Sequence, residues 1–220
     1  MLVVDLWGFL RDSTPQRERQ RYGDVGYDWD HRVNTTSAAV GWRNRLLGLF
    51  HSPYQPTEPE LFREMLDSLG IDLAQFTFVD IGSGKGRTLL MASEYPFRRV
   101  LGVELLPELN SVAVENIRSF NSESQKCPAV ESICQDAREF VFPPEPLLVY
   151  LFNPLTEAGL TQVVRNLEQS LRENPRSLAV LYHNPLLAGV LERSGFWQKT
   201  AGTAQYAVYR VAPGDSQALP

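Results

Sequence analysis

Phe76-Thr-Phe-Val-Asp-Ile-Gly-Ser-Gly-Lys-Gly86 decides the fold of this chain. An apolar run (Phe76, Phe78, Val79, Ile81) stops at three glycines spaced two apart, Gly82, Gly84 and Gly86. The pattern reads as a buried strand entering a tight loop whose backbone approaches something closely. Glycine lacks a Cβ and accepts φ > 0, which such a loop requires. A helical pattern with Leu89, Leu90 and Ala92 opens where the loop ends, so free N–H groups face the loop. Strand, glycine loop and helix make a nucleotide-type site.

The spacing separates two kinds of ligand. A dinucleotide fingerprint, G-x-G-x-x-G, leaves the helix N-terminus bare for a pyrophosphate. Here the third glycine comes one residue early, and Arg87 stands where the last fingerprint glycine belongs. Asp80 lies two positions before Gly82. A carboxylate there repels a pyrophosphate but can hold an ammonium group. The stretch therefore favours a cofactor that is adenosine-like at one end and amino-acid-like at the other.

This stretch resembles motif I, [DE]-x-G-x-G-x-G, of the class I S-adenosylmethionine-dependent methyltransferases. The resemblance continues in order along roughly residues 57–211. Val100-Leu-Gly-Val-Glu104 looks like a second strand ending in an acid, 22 residues after Gly82. The resemblance implies that Glu104, followed by Leu105, takes both ribose hydroxyls. Cys134-Gln-Asp-Ala137 is similar to the adenine loop of the family, which would make Asp136, with Ala137 beside it, the acceptor for the exocyclic amine. A run from Leu147 to Leu151, then Phe152-Asn-Pro-Leu155, looks like the fourth strand with motif IV. The implied cofactor set is Asp80, Gly82, Ser83, Gly84, Gly86, Glu104, Leu105, Asp136, Ala137 and Asn153.

Composition bounds the rest. The chain has 220 residues, 43% of them hydrophobic, which suits one domain with an N-terminal extension. A net charge of −5 and a pI near 5.3 argue against a general nucleic-acid binder. Cys127 and Cys134 suggest neither a zinc site nor a disulfide framework, so a reducing, cytoplasmic compartment is the simpler expectation. No run approaches the ~20 apolar residues of a membrane span, and Met1 to Val4 is broken by Asp5. A soluble protein is expected.

Three segments are expected: an extension over 1–56 acting as a substrate lid, a cofactor-binding domain over 57–212, and a disordered tail over 213–220. The extension holds Trp7, Trp29 and Trp42, an arginine-rich stretch, an aromatic turn-rich loop over 22–31 and helical spacing over 38–50. Thr57-Glu-Pro-Glu60 reads as a capping box before a helix that buries Leu61, Phe62, Met65, Leu66 and Leu69 and ends at Gly70. Strands and helices then alternate, with helices from Pro107 and from Glu157, a third strand near 129–134 and a fifth over 177–182. A hairpin over 197–211 closes the pattern. The fold class is α/β: a doubly wound, mostly parallel seven-stranded sheet with helices on both faces and a C-terminal antiparallel hairpin.

Each candidate residue also has an ordinary structural reading. Lys85 reads as solvated, as loop lysines usually are. Asp136 serves an adenine amine or merely caps a turn; the sequence leaves both open. Asn153 either faces the reacting methyl group or ends a strand before Pro154. His183, in Tyr182-His-Asn-Pro185, contacts an acceptor or packs a loop. Asn153 and His183 are the catalytic candidates. For His31 and His51 the structural reading is preferred, and no histidine joins a metal set. Asp28 and Asp30 grip a cationic substrate or solvate a turn, and Arg17 and Arg21 form a solvated face or meet an acidic partner. Tyr54 and Thr57 are candidates for a lid over the cofactor.

The resemblance implies methyl transfer by in-line displacement, which asks the protein to hold donor and nucleophile together and exclude water. The acceptor, a protein side chain or a small molecule, would enter over the carboxyl ends of the fourth and fifth strands. Motif IV departs from the [DNS]-P-P-[YF] pattern of amide and amine methyltransferases: Leu155 and Thr156 replace the second proline and the aromatic ring. That weakens the case for nitrogen methylation of a planar amine. Two other classes are a non-catalytic S-adenosylmethionine-binding regulator or subunit and a nucleotide-dependent Rossmann oxidoreductase. The early third glycine and the terminal hairpin argue against the second.

Overall fold

The computed structural model describes residues 26–36 and 56–212. Seven strands form one sheet: β1 (Thr77–Ile81), β2 (Arg99–Glu104), β3 (Val130–Cys134), β4 (Leu147–Leu151), β5 (Leu178–His183), β6 (Trp197–Gly202) and β7 (Tyr206–Val211). Their order is β3-β2-β1-β4-β5-β7-β6. The pairings among β1 to β5 are parallel, and β7 lies antiparallel between β5 and β6. The expected sheet, with its terminal hairpin, is therefore present. Strand order reverses between β1 and β4, and in open α/β sheets ligands bind in the crevice beyond the carboxyl ends of strands at such a point.

The helices are α1 (Pro59–Asp67), α2 (Arg87–Ser93), α3 (Pro107–Ser119), α4 (Glu157–Glu173) and the short α5 (Gly189–Glu192). Side-chain alternation along the strands divides the core in two. Val79, Ile81, Val103, Val149, Leu151, Val180 and Tyr182 face α4, which contributes Leu160, Val163, Val164, Leu167 and Leu171. Phe78, Val100, Leu148, Tyr150 and Leu181 face α1 and α2 on the other side. The same alternation puts Asp80, Tyr150 and His183 on the α1/α2 face, at or near the carboxyl ends of three adjacent strands. Asp80 and Tyr150 are register partners.

Two local readings need correction. Thr57 and Glu60 form no capping box: Glu58 is the N-cap of α1 and makes no side-chain cap bond. Pro59 occupies the first turn, where its missing N–H costs nothing, and the Thr57 hydroxyl turns inward to Tyr150 instead. Residues 26–31, expected as part of a turn-rich loop, are helical; on α3 the buried positions are Ala113 and Asn116, while Leu109, Val112, Ile117 and Phe120 are partly exposed. At motif IV, Thr156 is the N-cap of α4, accepting from the Gly159 N–H at 3.4 Å, so a helix start occupies the aromatic position of the related pattern. Among the described residues no helix is long and apolar enough to cross a membrane. The expected helix over 38–50, the arginine-rich stretch, Tyr54, His51 and the tail over 213–220 lie outside the described residues.

Candidate functional site

The glycine loop is built as its sequence requires. Gly82, Gly84 and Gly86 have φ of +78°, +56° and +84°. The Gly82 and Ser83 N–H groups donate to the Val103 carbonyl at 2.8 and 3.2 Å, which ties the loop to the end of β2. A Cβ on Gly82 would lie 2.3 Å from Pro154 Cβ, so this glycine lets the β1 loop pass the β4 loop at the switch point. Gly102, inside β2, is the less obvious case: a Cβ there would come within 2.6 Å of both Leu89 Cδ1 and Ser83 Oγ. The β2 backbone is part of the wall against which the loop lies.

Two buried carboxylates flank this loop. Asp80, 3% exposed, accepts a hydrogen bond from the Thr88 hydroxyl on the first turn of α2. Burial, with a smaller repulsion from Glu104, raises its carboxyl to a pKa of about 7, against the pull of the Thr88 bond. Glu104, 2% exposed, accepts the Gly84 N–H at 2.9 Å on Oε2 and the Leu106 N–H at 2.8 Å on Oε1. Burial raises its pKa as well, and these backbone donors oppose the shift. Each Glu104 oxygen keeps a lone pair beyond its backbone partner, so the carboxylate can still accept a diol. Ser83 Oγ is buried with no hydrogen-bond partner. A buried hydroxyl left unpaired is costly, and a ligand atom is one thing that relieves it.

Beyond Glu104 runs a crevice lined by Gly82, Glu104, Leu105, Asp136, Ala137 and Leu155, among others. Its enclosed volume is about 30 Å³, one water's share of the liquid. The side chains of Leu105 and Leu155, both half-buried, border it. Asp136 both lines this crevice and caps the turn Ala137–Glu139. Its oxygens receive the Arg138 N–H at 2.9 Å and the Arg138 guanidinium at 2.5–3.0 Å, and that partner holds its carboxyl below the usual range. The turn-capping reading of Asp136 is the one the geometry displays.

On the far side of the switch point, Asn153 is buried with φ +47°. Its Nδ2 donates to the Asn184 carbonyl at 2.7 Å, and its Oδ1 accepts from the Tyr182 hydroxyl at 2.9 Å. The amide is spent on joining the β4 and β5 loops. His183 is also buried, stacked on Phe152 at 3.8 Å between ring centroids, with Nδ1 2.8 Å from the Tyr150 hydroxyl. Burial lowers its pKa to about 4, so the ring is neutral at physiological pH. The Tyr150 hydroxyl also lies 2.8 Å from Thr57 Oγ1, which completes a buried chain Thr57–Tyr150–His183. Asn153 follows the end of β4 and His183 ends the neighbouring β5.

Several expectations shift. Lys85 is not a solvated loop residue: it is 8% exposed, and its Nζ donates to Asn34 Oδ1 at 2.9 Å. Burial lowers its pKa, and the Asp28 carboxylate opposes that. Asp28 closes a turn by accepting from the backbone and hydroxyl groups of Thr35 and Thr36. His31 packs between Tyr27 and Phe120, the structural role expected of it. Among the described residues no group of three or more histidine, cysteine, aspartate or glutamate side chains could hold a metal. Sequence reasoning missed Thr88, Tyr150 and Asn116. The first two were findable, since Thr88 lies eight residues after Asp80 across a loop and one helical turn, and Tyr150 is the lone polar group in an apolar strand. Asn116 falls at a core position of α3, where a buried amide signals a partner.

No family model matches the chain, and no curated protein matches it either. Among solved structures, the fold is shared with the precorrin-6y C5,15-methyltransferase of Geobacter metallireducens GS-15, at 16% identity and a TM-score of 0.51, over 70% of this chain and 88% of that one. The ribosomal protein L11 methylase of Lactobacillus delbrueckii subsp. bulgaricus aligns at 14% identity and a TM-score of 0.49, over 70% of this chain and 76% of that one. An RNA methyltransferase of Salinibacter ruber, in complex with S-adenosyl-L-homocysteine, aligns at 22% identity and a TM-score of 0.43, over 71% and 92% of the two chains. At 16% identity the likeness to the precorrin methyltransferase is one of fold alone.

Proposed function

We propose that the chain binds S-adenosylmethionine and transfers its methyl group to a protein side chain or a small molecule. One observation carries the reading: two buried carboxylates, Asp80 and Glu104, lie at the carboxyl-end region of adjacent parallel strands on either side of a three-glycine loop that holds an unpartnered serine hydroxyl. A dinucleotide's pyrophosphate finds no welcome between two carboxylates. A ligand with an ammonium group and a ribose diol suits both.

In this reading Asp80 receives the amino group, and the backbone of Gly82, Gly84 and Gly86 with Ser83 Oγ lines the amino-acid end. Glu104 takes the ribose diol, while Leu105, Asp136 and Ala137 bound the adenine. When bound, the sulfonium supplies an activated methyl carbon. Pairing with an ammonium favours the ionised form of Asp80, so binding near neutrality releases a proton. The acceptor side is the edge bounded by Asn153 and His183: Asn153 fixes the β4–β5 loops there, and the neutral His183 ring, with Nδ1 engaged by Tyr150, has Nε2 left to accept or donate a hydrogen bond according to its tautomer. Thr57 acts through Tyr150, and the 1–56 extension, with Tyr54, forms a lid. Unpaired Cys127 and Cys134 suit a reducing, cytoplasmic compartment.

Calorimetry with S-adenosylmethionine, S-adenosylhomocysteine and NAD tests the cofactor. Micromolar binding of the first two and none of NAD is expected; preference for NAD would overturn the reading. Release of S-adenosylhomocysteine on incubation with acceptor pools then separates an enzyme from a binding-only regulator.

A further inference from the structure

The glycine loop is gripped from outside by a segment far away in sequence. Residues 26–36 form a short helical stretch and a turn, and Asp28 closes that turn by accepting four hydrogen bonds from Thr35 and Thr36 at 2.5–2.8 Å. The turn lies against the loop. Asn34 donates its N–H to Asn116 Oδ1 at 2.8 Å and accepts from Asn116 Nδ2 at 3.1 Å. The same Nδ2 donates to the Lys85 carbonyl at 2.9 Å, so one buried amide bridges strap and loop. Lys85 Nζ returns to Asn34 Oδ1 at 2.9 Å. Arg87 Nη1 donates to Thr35 Oγ1 at 3.3 Å, and its guanidinium stacks on the Tyr27 ring at 4.4 Å. These contacts fall on both sides of Gly86.

We propose that docking of the 26–36 strap and binding of the donor at the glycine loop are coupled, with Asn116 and Asp28 as positioning residues. The inference rests on the donor reading above. Glycines lose more freedom on ordering than any other residue, and this loop carries three at positive φ. A loop already pinned at Lys85 and Arg87 spares the ligand that ordering cost. The strap is the responsive partner, because most of its grip on the loop is polar, with Tyr27 as its one apolar anchor against the core. Thr35 alone in 26–36 is buried, and Trp29 is 84% exposed. Thermodynamic reciprocity then requires that the donor hold the strap as firmly as the strap favours the donor.

The test uses the full-length protein and S-adenosylhomocysteine as probe. Saturation with the probe is expected to slow amide hydrogen exchange across 33–36 by about tenfold, and Asp28→Ala is expected to weaken probe binding by about the same factor, within the usual range of coupling. Asn34→Ala, which removes only the acceptor for Lys85 Nζ, carries the affinity arm if Asp28→Ala fails to fold. Exchange across 33–36 that ignores a bound probe overturns the proposal, as does binding by both folded variants within twofold of the unmodified protein. A probe that does not bind the unmodified protein at all defeats the donor reading itself, and the coupling with it.

Discussion

Asp80 and Tyr150 are register partners on adjacent parallel strands and share one face of the sheet. An ionisable carboxyl and a phenol thus lie side by side in a core otherwise filled by Phe62, Phe78, Leu148 and Leu181. Burial raises the pKa of both, and the Asp80 charge adds to the shift of Tyr150. A chain selected only for stability would place apolar side chains there. Perturbed carboxyls of this kind concentrate at functional sites, which supports the donor reading proposed above.

Asp80→Asn should therefore stabilise the protein at alkaline pH while removing donor binding. The folded pKa of Asp80, about 7, lies above its ordinary 3.8. The protonated form favours the fold, so its contribution is full below pH 3.8 and declines as pH rises through 7. About three pK units correspond to roughly 4 kcal/mol, and an unpaired buried amide N–H returns about 1–3 kcal/mol of that. Thermal denaturation should show a Tm above that of the unmodified protein at pH 8 and no advantage at pH 4. A lower Tm at pH 8 would sink the assignment.

His183 works in the opposite direction. Its folded pKa, about 4, lies below the ordinary 6.5. Protonation favours the unfolded chain, so the stability it contributes is full above pH 6.5 and lost as pH falls towards 4, by about 3 kcal/mol. In the unmodified protein this loss is masked, because Asp80 gains over the same interval. Acidifying Asp80→Asn from pH 7 to 4 should expose it as a steep fall in Tm. An imidazole NMR titration of His183 with a midpoint near 6.5 would contradict the account.

How much of this was legible beforehand follows from the range of each interaction. The strand–loop–helix at 76–93 and the order of the sheet rest on local periodicity and glycine spacing, which the sequence displays. Asp80 and Glu104 were readable because an acid at the end of an apolar run has few structural explanations. The Thr57–Tyr150–His183 chain was readable only at its ends: its middle member looks like core, and its link to Thr57 spans 93 positions. Lys85 was misjudged because its partner, Asn34, lies 51 positions away. Polar contacts of that separation leave no periodic trace.

Ser83→Ala discriminates between a ligand role and a structural one. Ser83 Oγ has no partner to lose, so deleting it should leave Tm unchanged or raise it slightly, by up to about 1 kcal/mol in stability. If the hydroxyl serves the donor, affinity for S-adenosylhomocysteine should nonetheless fall several-fold in calorimetry. Reduced stability with unchanged affinity would return Ser83 to the scaffold.

Gly102→Ala probes the same hydroxyl from behind. Gly102 lies in β2 with no positive φ, so the added methyl acts through space alone. It would meet Leu89 Cδ1 and Ser83 Oγ at 2.6 Å, and Ser83 Cβ at 2.9 Å. Overpacking of this kind costs about 1–3 kcal/mol, and the loop must shift to relieve it. Donor affinity should fall further than in Ser83→Ala, because the displaced loop also carries the Gly84 N–H away from Glu104. Adding Ser83→Ala to Gly102→Ala should restore part of the stability, since one of the two closest contacts disappears, but not the affinity. If the double variant binds the donor as well as Ser83→Ala does, β2 is not the wall that sets the glycine loop.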